Sequence, residues 1–444
     1  MAISTLYLLL TVLGGCLIYL MRPQWLVLYT FSIEPFIFPL FVNIQRVLDV
    51  ETFRELHNFT DKIMIYLLLI IITFEYLVKR RKIYGLRRIS FAGSMLLVFL
   101  VLQNTLTHFD WAALYGSIRY VILLPWFIIL VLINKKTIPS YKDSLIFLLL
   151  VVSLQVIWAI LEFNGIYPFL IFYTGYGTVV SEGLISGTFV RFNNMTNFLT
   201  TIYLCFAFDY FINKKVSSFF FLVFSFVIFF LVLVSGAKMS IVLFLFIWIV
   251  NIFYNLKRNR MLAISTIIIL LLFISVIDFF PSSDGINRAI EGFNSIIEGS
   301  EKNNTSSLST YLYDNFFHLS PIIGNGLSWK GEYAYDSIRP LIDFKADARL
   351  MYTLVEYGIV GTLLYFIYFY KLLWMPVRVR SKHLQFFVLF SFSYFSIMTF
   401  TEAGFFDYCN VAMVFVYISM LQLEIINKSL SNVSQLGSKH PTPF

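Results

Sequence analysis

The chain has 444 residues, of which 59% are hydrophobic and only 13% charged, with a mean hydropathy of +0.80 and a formal charge of +8. A water-soluble domain cannot bury that much apolar surface, so lipid is the solvent for most of the chain. The basic excess lies in short connectors between apolar runs, which excludes a nucleic-acid footprint and reads instead as a topology signal.

Apolar runs long enough to cross a bilayer, roughly 17 to 25 residues each, recur from Ile3 to Ile426. Helices satisfy their own backbone hydrogen bonds in hydrocarbon, so the chain is expected to be all-α, a polytopic integral membrane protein of about 12 or 13 transmembrane helices. In chain order the runs are 3–21, 25–42, 63–78, 89–107, 118–133, 144–163, 194–212, 217–234, 239–255, 262–280, 349–372, 384–401 and 409–426, forming one transmembrane domain over 1–444. In the first run, Leu13 to Cys16 (LGGC) resembles a lipoprotein cleavage box but lacks the basic region a signal peptide needs, and reads as part of an ordinary helix. Between the second and third runs, Ile44, Val47, Leu48, Phe53 and Leu56 have nearly helical spacing, as either a short interfacial helix or a plain connector.

Basic connectors follow at Lys79 to Lys82 with Arg87 and Arg88, at Lys135 and Lys136, at Lys214 and Lys215, at Lys257 to Arg260 and at Arg378 to Lys382. Positive connectors mark the cytoplasmic side. Threading the runs between them places 108–117, 164–192 and 281–348 on the outer face and the C-terminal tail inside. The 281–348 loop carries nine acids against five bases between Asp284 and Asp347 and too few apolar residues for a core of its own. Within it Ile286, Ile290, Phe293 and Ile297 fall on one helical face with Ser283 or Asp284 as cap, and Pro321 to Trp329 (PIIGNGLSW) predicts a tight turn.

Chemistry is sought where polarity gathers at the outer ends of spans. Arg191, Lys238, Arg288, Arg339 and Arg349 stand where a lipid-linked phosphate would lie, and cations of this kind grip a diphosphate. The alternative for each is snorkelling to lipid headgroups or pairing with an acid. Arg191 and Lys238 stand out: Arg191 sits among Asn193, Asn194 and Asn197 beyond a freely turning Gly187, and Lys238 is a lone base in an outer turn too short to need one. Asp347, at the mouth of the span that begins at 349, is either a general base or a helix cap, and Glu356 is expected to be structural. Outer-loop aromatics such as Tyr167, Tyr173, Tyr176, Trp329, Tyr333 and Tyr335 are candidates to stack on sugar rings. Neither a phosphate-binding Gly-Lys-Ser/Thr loop nor HExxH occurs, His318 and His383 are isolated, and Cys16, Cys205 and Cys409 lack metal-ligand spacing, so no metal, cofactor or disulfide is expected.

Three blocks in this order, GTFVRFNNMTNFL (Gly187 to Leu199), LVSGAKMSIVLFL (Leu233 to Leu245) and PIIGNGL followed by DARLMYTLVEYGIVG (Pro321 to Gly361), resemble the superfamily of bacterial O-antigen polymerases of the Wzy type and O-antigen ligases. The resemblance implies a GT-C-like membrane fold and a metal-independent inverting glycosyltransferase of the bacterial cytoplasmic (inner) membrane. Its substrates would be undecaprenyl-diphosphate-linked glycans, and its partners a chain-length regulator and a flippase. In the ligase branch a His usually stands at the position similar to Asp347 and an Arg at that of Lys238, so the polymerase branch is the nearer likeness. Arg288 followed by ten residues and Gly299 also matches a pattern of that branch. On this resemblance Asp347 is the expected base, with Arg191, Lys238, Arg288, Arg339, Arg349 and Asn194 binding substrate. The alternatives are an O-antigen ligase acting on a lipid A-core acceptor, or a flippase or transporter of lipid-linked oligosaccharide.

Overall fold

The computed structural model describes residues 2–38, 86–106, 137–164, 187–189, 192–256, 321–324, 349–375, 381–399 and 408–437, with isolated positions between. Among these the structure is all-helical. In chain order the main elements are α1 (Ala2–Met21), α2 (Leu26–Ser32), α3 (Leu86–Leu106), α4 (Tyr141–Phe163), α5 (Phe192–Phe208), α6 (Ser218–Val234), α7 (Lys238–Leu256), α8 (Arg349–Trp374), α9 (Lys382–Thr399) and α10 (Tyr408–Gly437). Five stretches are long and apolar enough to cross a membrane, and Thr5–Met21, Phe91–Leu106 and Ser218–Val234 are shorter apolar helices.

The outward faces are apolar. On α1, Leu6, Leu9, Leu13, Leu17 and Leu20 are all exposed at helical spacing, while Tyr7, Thr11 and Tyr19 turn inward. On α3 the exposed stripe is Phe91, Met95, Val98, Leu102 and Leu106, and the buried one is Ala92, Leu96, Leu100 and Gln103. This inverts the soluble pattern, as a lipid surround requires. Gly14 and Gly15 are packing positions, facing Tyr29 and Leu67, and the Tyr29 hydroxyl donates to the Thr11 carbonyl at 2.7 Å. Close packing against Tyr29 of α2 and against Leu67 thus accounts for the small residues before Cys16.

Helix α5 is the axis of the bundle. All but one residue between Met195 and Asp209 are buried, although the helix carries Thr196, Asn197, Thr200, Thr201 and Tyr203. The polar groups meet their neighbours: Ser240 of α7 donates to Asn197 Oδ1 at 3.3 Å, the Thr200 and Tyr394 hydroxyls lie 2.8 Å apart, and those of Tyr203 and Ser225 lie 2.8 Å apart. Aromatic stacking fills the remaining space, with Tyr203 on Phe244 at 4.6 Å and Tyr210 on Phe221 at 4.0 Å.

These contacts define two ends. At one end α5 finishes in a π-turn, Asp209–Asn213, closed by Lys214 in the left-handed region (φ 55°) and by the Lys215 amide donating back to the Asp209 carbonyl at 3.0 Å. Asp209, 3% exposed, accepts from Tyr417 Oη of α10 at 2.5 Å and from Asn213 Nδ2 at 2.8 Å. Beside it Lys215 pairs with Glu424 at 2.6 Å and stands 4.8 Å from the Tyr141 ring centre. Ser140 and Ser217 cap α4 and α6 here, accepting from the amides of Asp143 and Phe220, and Tyr254 meets His383 at 2.9 Å. This end carries the basic connectors. The opposite end holds the finish of α4 and the starts of α5 and α7.

Three expectations need correction. The 25–42 run is not one regular helix: it breaks into a 3-10 turn (Pro23–Trp25), α2 and a π-turn (Ile33–Ile37) around Pro35, which has no amide hydrogen to donate. The 409–426 run continues as helix to Gly437, so part of the expected tail is helical. The 349–372 run is interrupted at Gly358, where the backbone leaves helical geometry. The run at 118–133 lies almost wholly, that at 262–280 for the greater part, and the segment 43–61 entirely outside the described residues.

The Tyr417–Asp209 bond is buried, so Tyr417→Phe removes a donor from a carboxylate that has few, at about 1–3 kcal/mol. The half-exposed pair is weaker, and Lys215→Ala is expected to change stability by about 0–1 kcal/mol. Thermal unfolding in detergent should therefore rank Tyr417→Phe well below Lys215→Ala; the reverse order would remove Asp209 from the interactions that hold this end.

Candidate functional site

The first motif block enters the bundle through a turn fixed by side chains of two other segments. Gly187 has φ +59°, and its amide donates to Glu162 Oε2 at the end of α4 at 3.0 Å. Thr188 is held through its amide and both roles of its hydroxyl: the amide donates to Gln155 Oε1 at 3.0 Å, the hydroxyl accepts from Gln155 Nε2 at 2.7 Å, and the same hydroxyl donates to the Pro35 carbonyl at 2.8 Å. A Cβ on Gly187 would stand 2.2 Å from Gln155 Oε1 and 2.9 Å from Met195 Sδ, so only glycine fits. Phe189 completes the plug, buried against Phe198 at 5.3 Å. Helix α5 then begins at Phe192, one residue after Arg191.

The second block is a turn of three residues. Ser235 donates to the Val232 carbonyl at 2.7 Å and accepts from the Ala237 amide, Gly236 takes φ +69°, and α7 begins at Lys238. The expected short connection around Lys238 is therefore present. The Ser240 to Asn197 bond joins this block to the first, so the starts of α5 and α7 lie side by side. Asn194 is half-buried in the first turn of α5.

In the third block the two halves meet. Pro321 to Gly324 forms the expected tight turn, and this turn docks on α8 where the helix is broken. Gly358 has φ 64° and ψ −174°, a region open only to glycine. The amides of Ile359 and Val360 donate to the carbonyls of Pro321 and Ile322 at 2.9 and 3.1 Å, instead of to the preceding turn of their own helix. A Cβ on Gly358 would lie 2.4 Å from the Gly324 nitrogen and 2.5 Å from the Ile322 oxygen. Gln103, buried near the end of α3, donates through Nε2 to the Ile323 carbonyl. The apolar span proper runs from Tyr357 to Trp374, and Arg349 opens a separate helical piece ahead of the break. Met351, Leu354 and Glu356 all lie in that piece, ahead of the break.

Of the predicted site residues, Arg191, Arg288, Arg339 and Asp347 lie outside the described residues, as do the candidate outer-loop tyrosines and Trp329. Lys238 and Arg349 are placed by their backbone as the first residues of α7 and α8. What the fold establishes is a pattern: α5, α7 and α8 each begin on or just after a base, and none has an acid in its first turn. A cation at the positive end of a helix is disfavoured by about 0.3–1 kcal/mol, a penalty that an anion bound at such a helix start reverses. Among the described residues no three His, Cys, Asp or Glu side chains gather to hold a metal ion.

Gln155, Glu162 and Gln103 were not singled out by sequence. Their signal was polarity inside or at the end of an apolar run. No family model, curated protein or solved structure matches the chain.

Gly187→Ala is expected to destabilise the turn ahead of Arg191 by about 1–3 kcal/mol, since it strains the backbone and displaces Gln155. Thr188→Val, which removes the hydroxyl but keeps the shape, should lower the unfolding midpoint in detergent as well. Unchanged midpoints for both variants would show that the turn is not held by these contacts.

Proposed function

We propose that the chain is a polysaccharide polymerase that joins undecaprenyl-diphosphate-linked oligosaccharide repeat units at the outer face of the cytoplasmic membrane. The reading rests on the motif resemblance. The observation that best supports it is the set of helix starts at or just after Arg191, Lys238 and Arg349, two of them tied together through Ser240 and Asn197. Basic residues on helix N-termini without acids in the first turn suit a diphosphate, the leaving group of this reaction.

In the proposed reaction the hydroxyl of the acceptor unit attacks the anomeric carbon of the donor glycan. A new carbon–oxygen bond forms as the bond to the lipid diphosphate breaks, and attack opposite the leaving group inverts the anomeric configuration. The hydroxyl proton passes to the Asp347 carboxylate. Arg191 and Lys238 stabilise charge developing on the departing diphosphate, Asn194 supports the same edge, and Arg288, Arg339 and Arg349 orient the two substrates.

Deleting the gene in its host and sizing the surface glycans tests this reading. Loss of long chains with a single repeat unit still reaching its acceptor is the expected result. If no unit reaches the acceptor and lipid-linked glycan accumulates, the polymerase reading fails; accumulation outside favours a ligase and inside a flippase. Asp347→Ala, at normal protein level, is expected to abolish long chains, and full-rate polymerisation by it would remove the base assignment.

A further inference from the structure

The break at Gly358 gives two backbone amides a choice of partners. In a continuous α-helix the Ile359 and Val360 amides would donate to the carbonyls of Val355 and Glu356, four residues back. Here they donate to Pro321 and Ile322 of the docked turn. The two arrangements exclude each other, since the docked turn occupies the space beside Gly358 and needs the φ of +64° that a continuous helix does not have. The structure holds the broken arrangement with the turn docked, and a continuous helix would require the turn to be released.

We propose that Gln103 is a positioning residue that selects the broken state, and that this choice sets where the helix beginning at Arg349, two residues after Asp347, stands relative to the rest of the bundle. Among the described residues Gln103 grips the turn from outside the block, donating to the Ile323 carbonyl, which directly follows the two carbonyls that receive the α8 amides. It is 2% exposed, on the buried stripe of α3. That helix packs along α8, with Phe99 against Gly361 and Phe91 near Lys371. A donor on α3 thus holds the turn in register with the part of α8 that packs on α3. The turn in turn caps the inner piece of α8 and leaves the outer piece free of the helical register. The docked turn ends at Gly324, and the next described helix begins at Arg349.

The consequence for chemistry rests on the polymerase reading; the two-state helix does not. Spin labels at Leu350→Cys and Leu363→Cys, in a background with Cys16, Cys205 and Cys409 replaced by Ala, report the helix directly. A continuous helix over this interval spans roughly 20 Å. The protein with Gln103 should give a distance distribution distinct from that value. Gln103→Leu should move the distribution towards it, as should Gln103→Glu, which keeps the shape but offers an acceptor in place of a donor, and Gly358→Ala. An unchanged distribution in both Gln103 variants, with Gly358→Ala shifted, overturns the role of Gln103. In the host, the Gln103 variants should slow chain extension on the order of a hundredfold, the scale of a misplaced reacting group. A shifted distribution with wild-type chain extension overturns the positioning claim. Should gene deletion leave glycan length unaltered, the polymerase reading falls while the distance measurement still decides the switch.

Discussion

The fold depends on a helix that lipid would not tolerate. Helix α5 carries threonines, asparagines and a tyrosine through the bundle and runs into Asp209 at its end, and each must meet a polar partner or stay out of hydrocarbon. It meets α6 through Tyr203, α7 through Asn197, α9 through Thr200 and α10 through Asp209. A single such bond in a membrane contributes only about 0.6 kcal/mol on average. Four of them, spaced along one helix and directed to four neighbours, fix its rotation and depth in a way that apolar contacts alone do not. Since Arg191 and Asn194 stand at the start of this helix, the geometry of one face of the protein is referred to the interior of the bundle.

The two ends are built on different principles. Where the basic connectors lie, helices begin on serine caps and an ion pair closes the surface, arrangements that water and lipid headgroups both accept. At the other end, loop backbone is held by buried side-chain amides: Gln155 grips Thr188 and Gln103 grips Ile323. A glutamine offers a donor and an acceptor at the tip of a flexible stem, so it can hold irregular backbone in place of the regular partner that a helix supplies. Both glutamines act on the segments that carry the motif blocks, which is where non-helical chain must stand next to membrane helices.

Much of this architecture was legible in the sequence because lipid imposes a plain rule. Runs such as 144–163, 217–234 and 239–255 appear within a few residues of their observed helices, and the short turn before Lys238 and the bend at Gly187 follow from residue type and spacing. The break in α8 was not legible. Glycine within an apolar run is common in membrane helices, and what breaks this one is a turn beginning at Pro321, far upstream, whose carbonyls take over two amides. Likewise nothing local ties Asp209 to Tyr417, and nothing local marks which of the polar residues in an apolar run will grip a loop. Composition locates the spans; the partners of their polar residues are set by tertiary contact.

The broken helix also bears on the proposed function, which asks a packed bundle to present a carboxylate and bases to a large, changing substrate. On the proposed polymerase reading a growing glycan would be released and re-engaged at each addition, so groups that contact it would need a fixed reference and some freedom of approach. Helices α5 and α7 supply the fixed part, because Ser240 and Asn197 lock their starts together beside well-packed spans. Helix α8 supplies the other part: its inner piece is anchored against α3, while Gly358 uncouples the piece that starts at Arg349 from the helical register below it. Were α8 continuous, any movement of its outer end would have to tilt the whole span. With the register broken and the amides satisfied from outside, the outer piece can be reoriented by exchanging a few hydrogen bonds, at a free-energy cost of about a kcal/mol each, within the range that substrate binding supplies.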